Sequence, residues 1–98
     1  LHRRLVDQSA ERRDRIAQMR RFFELPAARK ALAAGGIEAR RVDQAIATLG
    51  DEELARLSAR ASKARADFAA GALTNEQLTY IVIALATAVV IIVIVVAD

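Results

Sequence analysis

The chain has 98 residues, 54% of them apolar, and carries 15 basic against 12 acidic side chains for a net charge of +3. That length allows one small domain, and with no cysteine and a single histidine it excludes both a disulfide scaffold and a Cys/His zinc site. Of the apolar residues, 17 fall within positions 80–97, which leaves positions 1–79 with 18 alanines and only 18 larger apolar side chains. A core that thin rarely stabilises a domain by more than about 3–5 kcal/mol, which argues against a self-sufficient enzyme and for a helical module held by a membrane or by partners.

The first helix is expected over positions 5–24, where Leu5, Ile16, Met19, Phe22 and Phe23 fall largely along one side. Its apolar stripe is sparse and its arginines many, so it is expected to dock on a partner or on the membrane surface. Pro26 suits the first turn of a second helix or a kink, with Ala28 and Leu32 inward and Gly35-Gly36 as the stop. Positions 38–49 form the clearest amphipathic segment, because Val42, Ala45, Ile46 and Leu49 recur at i, i+3, i+4 and i+7. Gly50 ends it. Asp51-Glu52-Glu53 then supplies a cap and negative charge at the positive end of a fourth helix, whose inward face is Leu54, Leu57, Ala61 and Ala64, extended by Phe68. Val42, Ile46, Leu49, Leu54 and Leu57 are the part most able to hold together, as two helices joined by a tight Gly50-Asp51 turn. Residues 69–73 make a short joint, so the module at 1–72 should lie close to a bilayer holding 73–98.

Positions 80–97 carry no charge, and 18 residues at helical rise cover about 27 Å, close to the hydrocarbon thickness of a bilayer. Eleven of the 16 residues at 81–96 are Val or Ile, which in water favours a strand. In hydrocarbon a lone strand leaves its backbone unpaired, whereas a helix satisfies its own, so a transmembrane helix is expected. A buried strand of a soluble protein is the competing reading. Thr74-Asn75-Glu76-Gln77 fits a capping box, and Tyr80 falls where an interfacial aromatic belongs, so Thr74, Gln77 and Tyr80 are expected to anchor the helix in the interface. Ala84, Thr87 and Ala88 form a small-residue stripe. It reads either as a packing face for another helix or as alanines facing lipid with no further role.

No catalytic, cofactor-binding or metal-ligating residue is assigned. His2 is the only imidazole and reads as a solvated terminal residue. Asp51, Glu52 and Glu53 are consecutive on a helix and point in different directions, so they make no preorganised acid/base pair. Gly35-Gly36 lacks the Lys-Ser/Thr of a phosphate loop. Arg12, Arg13, Arg15, Arg20 and Arg21 crowd one helix as candidate docking residues for protein or anionic lipid. Interleaved Asp7, Glu11, Asp14 and Glu24 also fit an ordinary solvated face, with Glu11 placed to pair with Arg15. Nucleic acid is not an expected partner, and no small-molecule substrate is identified.

The order Gly36-Ile37, Arg41-Val42 and then Ala47-Thr48-Leu49-Gly50-Asp51-Glu52-Glu53-Leu54-Ala55-Arg56-Leu57, followed by an apolar span, resembles an uncharacterised family of small exported bacterial proteins. The resemblance covers about residues 6–97 and implies a helical mature region with one C-terminal membrane span. Members are often encoded beside a bacteriocin-processing-type cysteine peptidase, which implies a second role as membrane-anchored adaptor or substrate of such a peptidase, cleaved at residues 69–73. A start at Leu1 instead of Met is what removal of a signal peptide would leave. The resemblance also implies export of the module, against the weak charge rule set by Lys63 and Arg65. The expectation is therefore an all-α protein of the bacterial inner membrane, a short periplasmic helical module followed by one transmembrane helix. It would serve as a non-catalytic accessory subunit packed against integral membrane proteins, a respiratory or photosynthetic complex being one setting.

Overall fold

A computed structural model describes residues 2–97, with side chains over 9–96. The side chains of His2, Leu5 and Asp7 lie outside the described residues. Five helices carry the chain: α1 (His2–Glu24), α2 (Pro26–Ala34), α3 (Ala39–Thr48), α4 (Asp51–Ala69) and α5 (Asn75–Ala97). The described residues form no strand. The fold is all-α, and α5 is long and apolar enough to cross a membrane.

Each break between helices has a local cause. Leu25 is extended (φ −55°, ψ 138°) because the ring of Pro26 disfavours helical geometry in the residue before it, while Pro26 itself starts α2. α2 closes with the Ile37 N–H donating to the Leu32 carbonyl at 2.9 Å and the Gly36 N–H to Ala33 at 3.1 Å. This pair of bonds requires a left-handed residue, which Gly36 supplies at φ +69°. The same device ends α4, where Ala72 donates to Asp67, Gly71 donates to Phe68, and Gly71 sits at φ +78°. Between α3 and α4 the chain turns through two extended residues, Leu49 and Gly50. Gly50 is the residue that precedes α4, and no side chain caps that helix. Asp51, expected to be the cap, is instead the first helical residue. It keeps the favourable interaction of a carboxylate with the helix dipole.

The packing partners differ from those the sequence suggested. α1 lies along α4, and α5 lies against α2 and α3. α3 and α4 scarcely touch, so the expected hairpin of two amphipathic helices does not form. The corner at Leu49-Gly50 sends them apart, Val42, Ala45 and Ile46 turning into the core from α3 and Leu54, Leu57, Ala61 and Ala64 from α4. α1 is not a free docking arm either. Met19 and Phe22 are fully buried, and the Phe22 and Phe23 rings meet edge to face with centroids 5.1 Å apart. One polar position enters this interior: Ser58 is buried and donates to the carbonyl of Ala55 at 3.1 Å. Nearby, Ser62 on α4 donates to the Gln18 side-chain carbonyl on α1 at 3.0 Å.

The core does not stop at residue 72. Leu78, Val82, Leu85, Ala86 and Val89 of α5 are buried in the same apolar cluster as Phe22, Leu32, Ile46 and Leu57. Their spacing of four, three, one and three residues draws one stripe down α5. Helix α5 thus completes the module as well as being the segment apolar enough for a membrane.

Candidate membrane and partner interface

The start of α5 is fixed by the expected capping box. The Gln77 N–H donates to Thr74 Oγ1 at 3.1 Å, and the Thr74 N–H donates to Gln77 Oε1 at 3.0 Å. Two backbone donors at the helix start are thereby satisfied reciprocally. Tyr80 follows one turn later and is 76% exposed.

From there α5 presents two different faces. The stripe from Leu78 to Val89 meets the module, and on the opposite side Tyr80, Ala84, Thr87, Ile91 and Ile94 are open. Ala84 and Thr87 are exposed and Ala88 is half-buried. The small-residue stripe is therefore open to solvent in part, and it runs along the margin of the docked face, with Ala84 and Ala88 bordering α4. Towards its end α5 exposes Val95 and Val96 as well, so its last turns form an apolar, uncharged tip.

Two cavities flank the helix. One, of about 420 Å³, lies between Arg60, Lys63 and Asp67 of α4 and Ile81, Ala84 and Ala88 of α5. The other, of about 220 Å³, lies between Glu38 and Arg41 and the α5 residues Thr87, Val90 and Ile91. Lys63 pairs with Asp67 at 3.0 Å one turn along α4. Charged groups of the module thus stand beside the middle of the apolar segment.

The arginines of α1 divide into two kinds. Arg12 Nη1 donates to Asp51 at 2.7 Å and Nη2 donates to the carbonyls of Ala47 and Leu49, while Arg20 Nε donates to Asp43 at 2.7 Å. These two stitch α1 to α3 and to the α3–α4 corner. Arg13 and Arg21 are exposed and Arg15 is half-buried, and none of the three makes an ion pair among the described residues. The expected Glu11–Arg15 pair is not formed. Of the five candidate docking arginines, Arg13, Arg15 and Arg21 are the ones without an ion pair among the described residues. Arg12 and Arg20 found partners on other helices, which spacing within one helix cannot reveal. Among the described residues no three His, Asp or Glu side chains gather as a metal-ligand set.

Comparison with protein-family models, with curated proteins and with solved structures returns no match to this chain.

Proposed function

We propose that the chain is a non-catalytic, single-pass subunit of a larger bacterial membrane complex, with α5 in the inner membrane and the helical module on the periplasmic side. The supporting observation is the outer face of α5, where Tyr80, Ala84, Thr87, Ile91, Ile94 and Val95 are uncharged and exposed among the described residues. An apolar face of that length has a natural occupant in lipid, and its small residues let a second helix approach closely enough for dispersion contacts. Arg13 and Arg21 of α1, exposed and without an ion pair among the described residues, suit anionic lipid headgroups or an acidic partner surface.

Two measurements test this reading. Replacing Ala84 and Ala88 together with leucine fills the small-residue stripe while leaving the inward stripe intact, so the double variant should lose the proteins that copurify with the native chain in mild detergent. Unchanged copurification would remove the stripe as a contact. For topology, Ser9→Cys supplies the chain's sole thiol at an exposed position. An impermeant thiol reagent should label it without opening the inner membrane, and labelling only after opening would put the module in the cytoplasm.

A further inference from the structure

Helix α5 cannot cross a bilayer from the position it holds against the module. Its buried stripe reaches Val89, and Val90, Ile92 and Val93 also pack against the core. Only four residues of the helix, about 6 Å at helical rise, lie beyond Val93, against a hydrocarbon core about 30 Å thick. The charged neighbours are decisive. If residues 80–97 spanned the bilayer, its midplane would fall near Ala88 and Val89. Arg60, Lys63 and Asp67 stand beside Ile81 to Ala88, and Glu38 and Arg41 stand beside Ala86 to Ile91. Carrying such groups to that depth costs about 2.5–3.5 kcal/mol for each Arg, Lys or Asp.

We infer that α5 has two mutually exclusive places, the groove of its own module and the interior of a bilayer, and that undocking from the module is the step that admits it to the membrane. This rests on the reading of α5 as a membrane helix. The joint is built for such a swing, because the helices on either side of it are closed by their own local bonds. The end of α4 is tied by Ala72 to Asp67 and by Gly71 to Phe68, and the start of α5 by the reciprocal Thr74 and Gln77 bonds. Rotation about the backbone of residues 72–74 moves α5 without unwinding either helix. In the docked state the module hides Leu78, Val82, Leu85, Ala86 and Val89 from water, and the tip at Ile94, Val95 and Val96 is left exposed to meet lipid first. The membrane that fits the tip is an ordinary bilayer surface, with the exposed Arg13 and Arg21 of α1 favouring anionic headgroups.

A disulfide across the docked contact tests the inference on the full chain. A Cβ built on Gly35 would lie 3.6 Å from Ile83 Cγ1, Gly35 has a φ of −85° that any residue adopts, and the chain has no other thiol. A cysteine sulfur at position 83 would take roughly the place of Ile83 Cγ1, so the two side chains stand within bridging reach of each other. In the Gly35→Cys/Ile83→Cys variant, oxidation should lower carbonate-resistant association with phosphatidylcholine/phosphatidylglycerol vesicles by about tenfold or more, and a reductant should restore it. Equal insertion of the oxidised and reduced forms would overturn the exclusivity and leave α5 a membrane helix. Insertion of neither form, nor of the native chain, would overturn the membrane reading itself. Failure of the disulfide to form in solution would show that α5 does not dock in this groove, and the inference would fall on that ground.

Discussion

Arg12 pairs with Asp51 at 2.7 Å across the corner between α3 and α4, and the same guanidinium donates to the carbonyls of Ala47 at 3.1 Å and Leu49 at 2.8 Å. Those carbonyls belong to the end of α3, where intrahelical donors have run out. One planar fork thus ties α1, α3 and α4 at the point where α3 and α4 part company. Arg12 is the less exposed partner, at 31% against 79% for Asp51, so most of its effect should come through the carbonyls.

Arg12→Ala is therefore expected to lower the unfolding free energy by about 1.5–3 kcal/mol, the range for hydrogen bonds to charged groups. Asp51→Asn should cost less than about 1 kcal/mol, because the exposed ion pair is screened. Arg12→Lys should recover little, since an ammonium cannot serve both carbonyls and the carboxylate in that geometry. Urea unfolding of the three variants decides the matter. Equal losses for Arg12→Ala and Asp51→Asn would show that the ion pair carries the contact.

The two adjacent glycines at the end of α2 are expected to respond in opposite directions. Gly35 is right-handed, and an added Cβ would meet the Ala31 carbonyl and Ile83 at 3.5 and 3.6 Å, ordinary contact distances. Gly35→Ala should stabilise the chain by about 0.4–1 kcal/mol by restricting the unfolded state. Gly36 sits at φ +69° with open space around it, so Gly36→Ala gains no contact and should cost about 1–2 kcal/mol of backbone strain. Thermal melts of the two variants should move apart. Destabilisation by both would mean that Gly35, too, is needed as glycine.

What the sequence made legible follows the contrast between apolar and polar neighbours. Val42, Ala45, Ile46 and Leu49, and likewise Leu54, Leu57, Ala61 and Ala64, alternate with charges, and all eight are buried. Ser58, buried beside Leu57, breaks that code: its hydroxyl is satisfied one turn back along its own helix, which no polarity pattern announces. The inward stripe of α5 was hidden for the opposite reason. Nearly every residue from Tyr80 onward is apolar, so Val82, Leu85 and Val89 have no polar neighbours to mark them out, and only their spacing against other helices reveals the face. Small side chains marked Ala84, Thr87 and Ala88 for attention, yet size alone could not say which side of α5 they occupy. Long-range pairs such as Arg20 with Asp43 leave no trace in local spacing at all.

The capping box gives a third prediction. Thr74→Ala removes the acceptor for the Gln77 N–H and should destabilise the docked fold by about 0.5–2 kcal/mol. Gln77→Ala leaves that bond in place and removes the acceptor for the Thr74 N–H, which water can replace because the site is exposed. Its effect should be the smaller one. Amide exchange at residue 77 should speed up in the Thr74 variant. Unchanged exchange there would indicate that the helix start is held by packing around Leu78 and not by the cap.

The last prediction concerns the chain without α5. Residues 1–72 retain the α1–α4 contact, with Met19 and Phe22 on one side and Leu54, Leu57, Ala61 and Ala64 on the other, but lose Leu78, Val82, Leu85, Ala86 and Val89 from the common core. The helices α2 and α3 then lie with their packed faces uncovered. Half of the apolar inventory before residue 80 is alanine, whose burial contributes little. Fixing each residue costs on the order of 1.5 kcal/mol, so the remaining core comes out near balance. Residues 1–72 should therefore keep much of their helical circular dichroism, bind a dye that reports exposed apolar surface, and melt without a sharp transition. A cooperative transition above about 65 °C, the upper end for ordinary mesophile domains, would show that the module is self-sufficient. The expected behaviour makes a specific demand on the membrane-inserted state: once α5 has left the groove, the uncovered faces of α2 and α3 need a partner surface, which is what an accessory subunit would find in its complex.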